Sequence, residues 1–270
     1  MSKTAHLDAY KAARFTLAVL VTSLILAGPA AKANDLCGAT IVADLTLDHD
    51  LTCTGDGLIV GADGLMIDLN GHTITGPGSG VGIAVTGRTD VSIAGGTIRT
   101  FTTAVRVNTS ADVVIKQIEF AENSEAIDLQ SGSVGNTVKD NLFRDSTTRA
   151  IMLRGNSIDN DIKNNTFIGN RVGILLFGSV DTTVKQNVIS GSSVAGIRFN
   201  VISTGNVLKD NTVRSNAVGI EFIVTTTGSA TGNELKDNTV ATNNCGLKGP
   251  TAGNSFKENS FEGNLVDTCS

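Results

Sequence analysis

Two carboxylates and three arginines are the side chains of this sequence best placed to do chemistry. They lie in short alternating segments about one repeat apart, and they are Arg106, Glu125, Asp128, Arg149 and Arg154. The two carboxylates could bind a metal ion or a substrate. Two carboxylates supply only some of the about 6–8 oxygen ligands that Ca²⁺ takes. The sequence also shows no evident pair of carboxylates of the kind that a glycoside hydrolase uses. The same charges also suit ion pairs between neighbouring strands, so both interpretations stay open.

A lysine recurs every 21–27 residues, each time directly after an apolar residue. The lysine column comprises Lys116, Lys139, Lys163, Lys185, Lys209, Lys236 and Lys257. One interpretation is a basic strip that binds a linear polyanion such as an acidic polysaccharide. The binding residues would then be Lys139, Lys163, Lys185, Lys209 and Lys236. The other is a solvated face on which neighbouring acids offset the lysines, and the net charge of −5 favours it.

These charges need elements that bring successive repeats into register. The apolar residues before the lysines belong to a series of apolar anchors that recurs from Ile67 to Phe256 at spacings of 21–27 residues, a period typical of stacked repeat folds. Each repeat has two runs that alternate apolar and polar residues, such as "TVKDN" and "GIRF", which predicts strands joined by turns. We therefore expect an all-β, single-stranded parallel β-helix of about ten coils. Residues 34–64 would be an N-terminal cap with the first coils, and 65–270 the repeats.

An asparagine stands three residues after the apolar anchor in six successive repeats. These residues are Asn141, Asn165, Asn187, Asn211, Asn238 and Asn259, and Asn70 has the same spacing near the start. Stacked coils lie about 4.8 Å apart, so each amide could donate to one neighbour and accept from the other. Asparagine also tolerates the left-handed backbone of a sharp corner. The sequence therefore predicts a structural asparagine column.

Four cysteines allow two disulfides in three combinations. Cys245 and Cys269 are 24 residues apart, about one coil, so their strands should be neighbours within bonding reach. Cys37 and Cys53 both lie near the other end. We predict Cys37–Cys53 and Cys245–Cys269, one near each end, where a solenoid exposes unpaired strand edges.

The first 33 residues have the pattern of a secretory signal peptide. A basic start precedes the apolar run "FTLAVLVTSLILAG" and the small-residue motif "AKA" at 31–33. The mature chain would be periplasmic or extracellular, without a membrane span, and would keep 17 basic and 25 acidic residues. That negative charge disfavours nucleic acid as a partner. With two histidines, two methionines and no Tyr or Trp left, we expect no metal site and few aromatic platforms for sugars.

The segment "CGATIVADLTLDHDLTCTGDGLIVGADGLMIDLNGHTITG" (37–76) and the repeats after it resemble a known superfamily. This is the right-handed parallel β-helix superfamily, which includes pectate lyases and the "carbohydrate-binding and sugar hydrolysis" repeat proteins. The resemblance implies a right-handed β-helix. Segment 124–141 looks similar to a calcium-ligand coil of pectate lyases. That similarity implies Asp128 and Glu125 as ligands and one of Arg106, Arg149 and Arg154 as the base.

Two functions follow as expectations. The first is an exported scaffold or binding protein without a cofactor, whose lateral face binds a polysaccharide or a cell-envelope partner. The alternative is a polysaccharide lyase or epimerase that acts on a uronate-containing polymer, with Ca²⁺ as cofactor. The lack of a dense carboxylate cluster favours the first. The sequence leaves catalysis open and sets no oligomeric state.

Overall fold

Every regular element in the described part of the chain is a β-strand. The structure is a computed structural model that describes residues 36–200, 202–223, 228 and 230–269. The predicted signal peptide (1–33) lies outside the described residues. In the described ranges the structure contains no helix of the length and hydropathy that a membrane span requires.

Twenty-nine short strands follow one another along the described chain. In chain order they are β1 (Thr40–Ile41), β2 (Leu45–Thr46), β3 (Leu51–Thr52), β4 (Leu58–Val60), β5 (Met66–Asp68), β6 (Thr73–Thr75), β7 (Val81–Thr86), β8 (Ser92–Arg99), β9 (Thr103–Asn108), β10 (Val114–Ala121), β11 (Glu125–Gln130), β12 (Thr137–Lys139), β13 (Leu142–Arg144), β14 (Arg149–Arg154), β15 (Asp161–Lys163), β16 (Thr166–Ile168), β17 (Val172–Phe177), β18 (Thr183–Lys185), β19 (Val188–Ser190), β20 (Ala195–Asn200), β21 (Val207–Lys209), β22 (Thr212–Arg214), β23 (Val218–Phe222), β24 (Glu234–Lys236), β25 (Thr239–Ala241), β26 (Cys245–Lys248), β27 (Ser255–Lys257), β28 (Ser260–Glu262) and β29 (Val266–Cys269).

The strands pair in parallel with their counterparts one coil away, so the chain is a parallel β-helix of about ten coils, as predicted. Sheet A has eleven strands in the order β1-β4-β7-β9-β11-β14-β17-β20-β23-β26-β29. The other eighteen form sheet B, which consists of two ladders that share the long strands β8 and β10. One ladder continues through β12, β15, β18, β21, β24 and β27. The other continues through β13, β16, β19, β22, β25 and β28.

Apolar residues that alternate along the strands fill the interior, because successive strand residues point to opposite faces. The apolar anchors of this series are buried from Ile67 to Leu235, and only Phe256 in the last coil is partly buried. Phe120, Phe143 and Phe167 stack on adjacent coils with ring centroids 4.9 and 4.7 Å apart. This core holds the coils in register and so determines which side chains line each outer face.

The asparagine column forms a continuous hydrogen-bonded ladder from Asn141 to Asn259. At each step the backbone N–H and the side-chain amide of one asparagine both donate to Oδ1 of the next; from Asn187 to Asn211 both distances are 3.0 Å. The amide also donates to a carbonyl of the previous coil, such as Ile162 O at 2.9 Å. Two further ladders run in parallel, for example Asn206 to Asn233 and Asn216 to Asn243. These amides satisfy backbone N–H and C=O groups inside the β-helix that strand pairing leaves without a partner.

One detail of the predicted corner, the place of Asn70, is wrong. Asn70 is exposed and has a φ of 49°, so it does not belong to the buried ladder, because Leu69 takes the inward place in that coil. The left-handed backbone falls on the residue before each ladder asparagine, with φ between 54 and 57°. Those residues are Asp140, Asn164, Gln186, Asp210, Asp237 and Glu258. The ladder asparagines are thereby free to turn their amides inward.

Both predicted disulfides are present. Cys37 bonds to Cys53 with a Cα–Cα distance of 5.5 Å. Cys245 in β26 bonds to Cys269 in β29, across adjacent strands of sheet A, with a Cα–Cα distance of 6.2 Å. They tie the first and last described coils to their neighbours.

Candidate functional site

The outer face of sheet A carries a mixed column of side chains, one from each coil. Strand pairing places the middle residues of β9, β11, β14, β17, β20, β23 and β26 directly next to one another. They are Arg106, Asp128, Met152, Leu175, Arg198, Glu221 and Lys248. The alternation that buries Ile127 and Leu129 turns Asp128 outward, and the same holds in the neighbouring coils. The column therefore has charged ends and an apolar middle.

Asp128 is paired with Arg154 and not with Arg106, its neighbour in strand register. Arg154 Nε and Nη2 donate to the two carboxylate oxygens at 3.0 and 2.8 Å. Asp128 is only 1% exposed. Arg106 lies next to it in register, but its Nη2 donates to Thr103 Oγ1 at 3.5 Å. The bidentate geometry explains the choice, because it satisfies a buried carboxylate better than a single contact does.

Glu125 and Arg149 form a second pair on the same face. Arg149 Nη2 lies 2.9 Å from Glu125 Oε1, and its Nη1 donates to the Met152 sulfur at 3.0 Å. Burial raises the pKa of Glu125, although the Arg149 guanidinium opposes the shift. The hydrogen bond to Asp128 raises the pKa of Arg154 above its usual value, which makes Arg154 a poorer proton acceptor. The structure thus brings the five predicted charged residues to adjacent strands but leaves Arg154 ill suited as a base.

A small apolar cluster separates these charges from the next ion pair along the sheet. It consists of Met152, Val172 and Leu175, with Val194 packed against them, and it is separate from the interior core. Beyond it, Arg198 Nε donates to Glu221 Oε2 at 2.7 Å, and Lys248 Nζ lies 3.7 Å from Glu221 Oε1. Arg198, Glu221 and Lys248 therefore form an ion-paired row. The carboxylates on either side of the cluster, Asp128 and Glu221, are both paired with basic side chains. The groups that border the apolar cluster are therefore mainly guanidinium groups.

A cavity of about 210 Å³ opens over this cluster. Its lining combines an apolar floor, three arginines and two neutral polar side chains; these residues are Thr148, Arg149, Arg171, Val172, Leu175, Arg198 and Asn200. Arg171 is exposed and has no acidic partner among the described residues. Cavities with an apolar floor and a few polar groups at the rim are typical ligand sites. We call this cavity the sheet A pocket.

Phe177 is a feature of this face that sequence reasoning missed. It is 39% exposed and belongs to a second outer column, in register with Arg154 and with Asn200. The neighbouring coils place polar residues in that column, namely Thr86, Asn108, Gln130, Arg154 and Asn200. The signal was present in "GILLF" (173–177), where the phenylalanine stands one residue later than in "GIRF" (196–199). That shift turns the ring outward.

The lysine column is in register along sheet B from Lys116 to Lys257. Of its members, five have a carboxylate oxygen within 4.0 Å: Lys163, Lys185, Lys209, Lys236 and Lys257. The strip is thus largely neutralised by its neighbours, which supports the solvated-face interpretation. Lys116 and Lys139 have no such partner in the described ranges. We therefore place the candidate site on sheet A.

Comparison with known proteins gives a family and a set of similar folds. Residues 64–230 and 155–269 match the family described as "Periplasmic copper-binding protein (NosD)". A comparison with curated protein sequences gives no match.

Three solved structures illustrate the fold similarity. An alginate lyase from Paenibacillus sp. str. FPU-7 has a TM-score of 0.67 and 15% identity, covering 83% of this chain and 92% of that one. A tailspike protein mutant of E. coli bacteriophage HK620, in complex with a pentasaccharide, has a TM-score of 0.67 and 11% identity, covering 82% of this chain and 50% of its own. The mannuronan C-5 epimerase AlgE4 A-module of Azotobacter vinelandii has a TM-score of 0.52 and 15% identity, covering 84% and 86%. At these identities the similarity shows the fold alone.

The described residues do not fit a copper centre, although the family description names copper. Copper sites use thiolate, thioether and imidazole ligands, and the four cysteines are all in disulfides. His49 contacts Asp48, and His72 Nδ1 lies 3.2 Å from Asp50 Oδ1. Met152 lies in the apolar cluster under Arg149. Across the described ranges, no group of three or more His, Cys, Asp or Glu side chains is arranged to hold a metal ion.

Proposed function

This chain belongs to the NosD family of periplasmic β-helix proteins, and we propose that it binds an acidic polysaccharide on the outer face of sheet A. The observation that carries the proposal is the sheet A pocket, in which Arg149, Arg171 and Arg198 surround an apolar floor. A sugar ring that bears a carboxylate has matching chemistry, because its C–H groups can pack on the floor while arginines bind the carboxylate. The two disulfides suit an oxidising compartment such as the periplasm.

The shape of the face supports an extended ligand over a compact one. Parallel strands about 4.8 Å apart repeat the same outward positions from coil to coil. A linear polymer can follow such a row and contact several coils at once. The similar folds include an alginate lyase, a mannuronan epimerase and a tailspike in complex with a pentasaccharide. Those proteins supply the chemical class for the first ligands to test.

Isothermal titration calorimetry with alginate and galacturonate tetrasaccharides tests the proposal. We expect binding that weakens as salt increases, because arginine–carboxylate contacts near the surface are screened. Leu175→Glu adds a carboxylate to the pocket floor and should abolish binding. Val188→Glu adds the same charge to the outer face of sheet B and should leave it intact, with circular dichroism confirming that both variants fold. Equal effects of the two substitutions, or no binding by the wild-type chain, would overturn the proposal.

The alternative function is a polysaccharide lyase or epimerase, and one observation favours it. Glu125 has a raised pKa beside Arg149 and Asp128, and carboxyl groups with raised pKa values serve as acids or bases in many enzymes. Against it, Asp128 is buried and fully engaged by Arg154, which leaves little freedom for a Ca²⁺ ligand. Incubation with alginate or pectate, with and without Ca²⁺, separates the two functions. Unsaturated product seen by absorbance for a lyase, or a changed ratio of the C-5 epimers in the polymer for an epimerase, lost in either case in Glu125→Gln, would establish the alternative.

A further inference from the structure

We propose that the sheet A pocket holds one carboxylate of its ligand over Leu175, between the guanidinium groups of Arg149 and Arg198. The ligand then supplies at β17 the negative charge that the chain itself supplies on neighbouring coils. This inference rests on the proposed function and makes it specific, because it assigns a single position to the acidic group that sheet A recognises.

The charges on sheet A alternate from coil to coil, with one interruption. The charged residues of β9, β14, β20 and β26 are all basic: Arg106, Arg149, Arg154, Arg198 and Lys248. The charged residues of β11 and β23, which lie between basic strands, are all acidic: Glu125, Asp128 and Glu221. By this order β17 should carry an acid, yet its sequence VGILLF contains no charged residue. From β9 to β26, β17 is thus the one strand that lies between two basic strands without a carboxylate.

Glu221 shows what a carboxylate does at an equivalent place. It lies in the same outer column as Leu175, and the two residues are each 8% exposed. Its Oε2 accepts a hydrogen bond from Arg198 Nε at 2.7 Å, and its Oε1 lies 3.7 Å from Lys248 Nζ. One carboxylate therefore joins the basic groups of the two coils beside it.

Leu175 has a guanidinium group beside it in both directions along the column. On one side its register partner is Arg198. On the other side its register partner is Met152, and Arg149 Nη1 lies 3.0 Å from the Met152 sulfur. Adjacent strands are about 4.8 Å apart, so a carboxylate over Leu175 is within reach of both groups. Both arginines line the sheet A pocket, and Arg171 adds a third positive charge to its lining.

The ion pairs that these two arginines already make leave donors for a ligand. A guanidinium group has five N–H donors. Arg149 contacts Glu125 through Nη2 and Met152 through Nη1, and each of these nitrogens carries a second hydrogen. Arg198 contacts Glu221 through Nε and Nη2, and its Nη1 is not used in the described contacts. A second carboxylate can therefore bind without breaking either pair.

The floor of the pocket restricts the kind of acid that fits. Val172 and Leu175 are apolar and belong to the cluster that is separate from the interior core. An inorganic anion would leave this floor uncovered, whereas a sugar acid can pack its C–H groups on the floor while its carboxylate lies between the arginines. The cavity of about 210 Å³ is smaller than the ~300–1,000 Å³ of pockets for drug-sized molecules. A single uronate unit is therefore the group that the pocket recognises.

Leu175→Glu tests the position without any ligand, because it places the missing carboxylate on the chain itself. Leu175→Gln is the matched neutral variant. At pH 7 and low salt, the urea midpoint of Leu175→Glu should exceed that of Leu175→Gln by about 0.3 M, and about 1 M salt should reduce the difference. Val188→Glu and Val188→Gln should show no such difference, because the register neighbours of Val188 are Thr166 and Thr212.

A double-mutant cycle identifies the partner of the new carboxylate. Arg198→Gln should remove most of the advantage of Leu175→Glu over Leu175→Gln, because residues in contact are coupled. Arg214→Gln changes an exposed arginine of sheet B and should leave the advantage unchanged.

Calorimetric titration then tests the ligand. The wild-type chain should bind a galacturonate tetrasaccharide at least about tenfold more tightly than its methyl ester, which keeps the sugar rings and loses the charges. Leu175→Gln should keep this preference for the acid. Leu175→Glu should lose it, because its own carboxylate takes the position of the ligand's.

The outcomes separate this inference from the wider function. If Leu175→Glu is no more stable than Leu175→Gln, or if its advantage survives Arg198→Gln, the carboxylate position is wrong. The polysaccharide function then still rests on the comparison of Leu175→Glu with Val188→Glu in ligand binding. Equal binding of the acid and its ester would also overturn the inference. If the wild-type chain binds no acidic tetrasaccharide, both proposals fail.

Discussion

Truncation of one ladder asparagine, Asn187→Ala, should destabilise the protein far more than its size suggests. Asn187 is fully buried, and its Oδ1 accepts from Asn165 N at 2.9 Å and from Asn165 Nδ2 at 3.1 Å. Its own amide donates to Ile162 O and to Asn211 Oδ1. The substitution removes an acceptor from a buried backbone N–H and a donor from a buried carbonyl. At about 1–3 kcal/mol for each buried group left unpaired, the expected loss is about 2–6 kcal/mol.

Urea denaturation followed by far-ultraviolet circular dichroism measures this loss. A whole domain has a free energy of unfolding of about 5–15 kcal/mol, so the transition midpoint should fall by a large fraction. Asn259→Ala is the matched control, because Asn259 is the last member of the ladder and is only partly buried. Water can replace its amide there, and we expect a loss of about 1 kcal/mol. Equal losses at Asn187 and Asn259, or a loss below about 1 kcal/mol at Asn187, would refute the view that stacked amides satisfy the buried corner.

Three further predictions concern the core, one carboxylate and the last coil. Phe143→Ala should lower the free energy of unfolding by about 3–5 kcal/mol, and Phe177→Ala by less than about 0.5 kcal/mol, in urea titrations of both variants; similar losses would contradict the outward placement of Phe177. Burial raises the pKa of Glu125, so the folded state binds the proton of this carboxyl group more tightly than the unfolded chain does. The contribution of Glu125 to stability should therefore decline as pH rises from the unfolded pKa of about 4.3 through the folded pKa. Wild type should therefore lose stability relative to Glu125→Gln over that range, and a pH-independent difference would count against the shift. Reduction of the Cys245–Cys269 disulfide should speed amide hydrogen exchange in 245–269 while exchange in the central coils stays the same, and a uniform increase would show that the last coil does not open by itself.

The fold was predictable because its signals are local and repeated. An apolar residue every 21–27 residues and a two-residue alternation together specify stacked strands. The asparagine ladder follows from the same spacing. The conformation of the corner did not follow, since spacing cannot tell whether the asparagine or the residue before it adopts the left-handed backbone. In the structure Gln186 adopts it and leaves Asn187 to turn inward.

The candidate site was predictable only in part, because long side chains do not follow strand register. Register alone pairs Asp128 with Arg106. On the other side its register partner is Met152, yet Arg154, two residues after Met152 in β14, reaches Asp128 with its long side chain. The sheet A pocket depends on the directions in which Arg149, Arg171 and Arg198 extend, and these do not show in the spacing of residues. Phe177 was hidden by a shift of one residue within a familiar pattern. Such shifts reverse the face on which a side chain lies.

A crystal structure of the chain with an alginate tetrasaccharide would locate the ligand directly. We predict density over Val172 and Leu175, with a sugar carboxylate within hydrogen-bond distance of at least one of Arg149, Arg171 and Arg198. Density along the lysine column of sheet B, with the sheet A pocket filled only by solvent, would contradict the assignment of the binding face to sheet A.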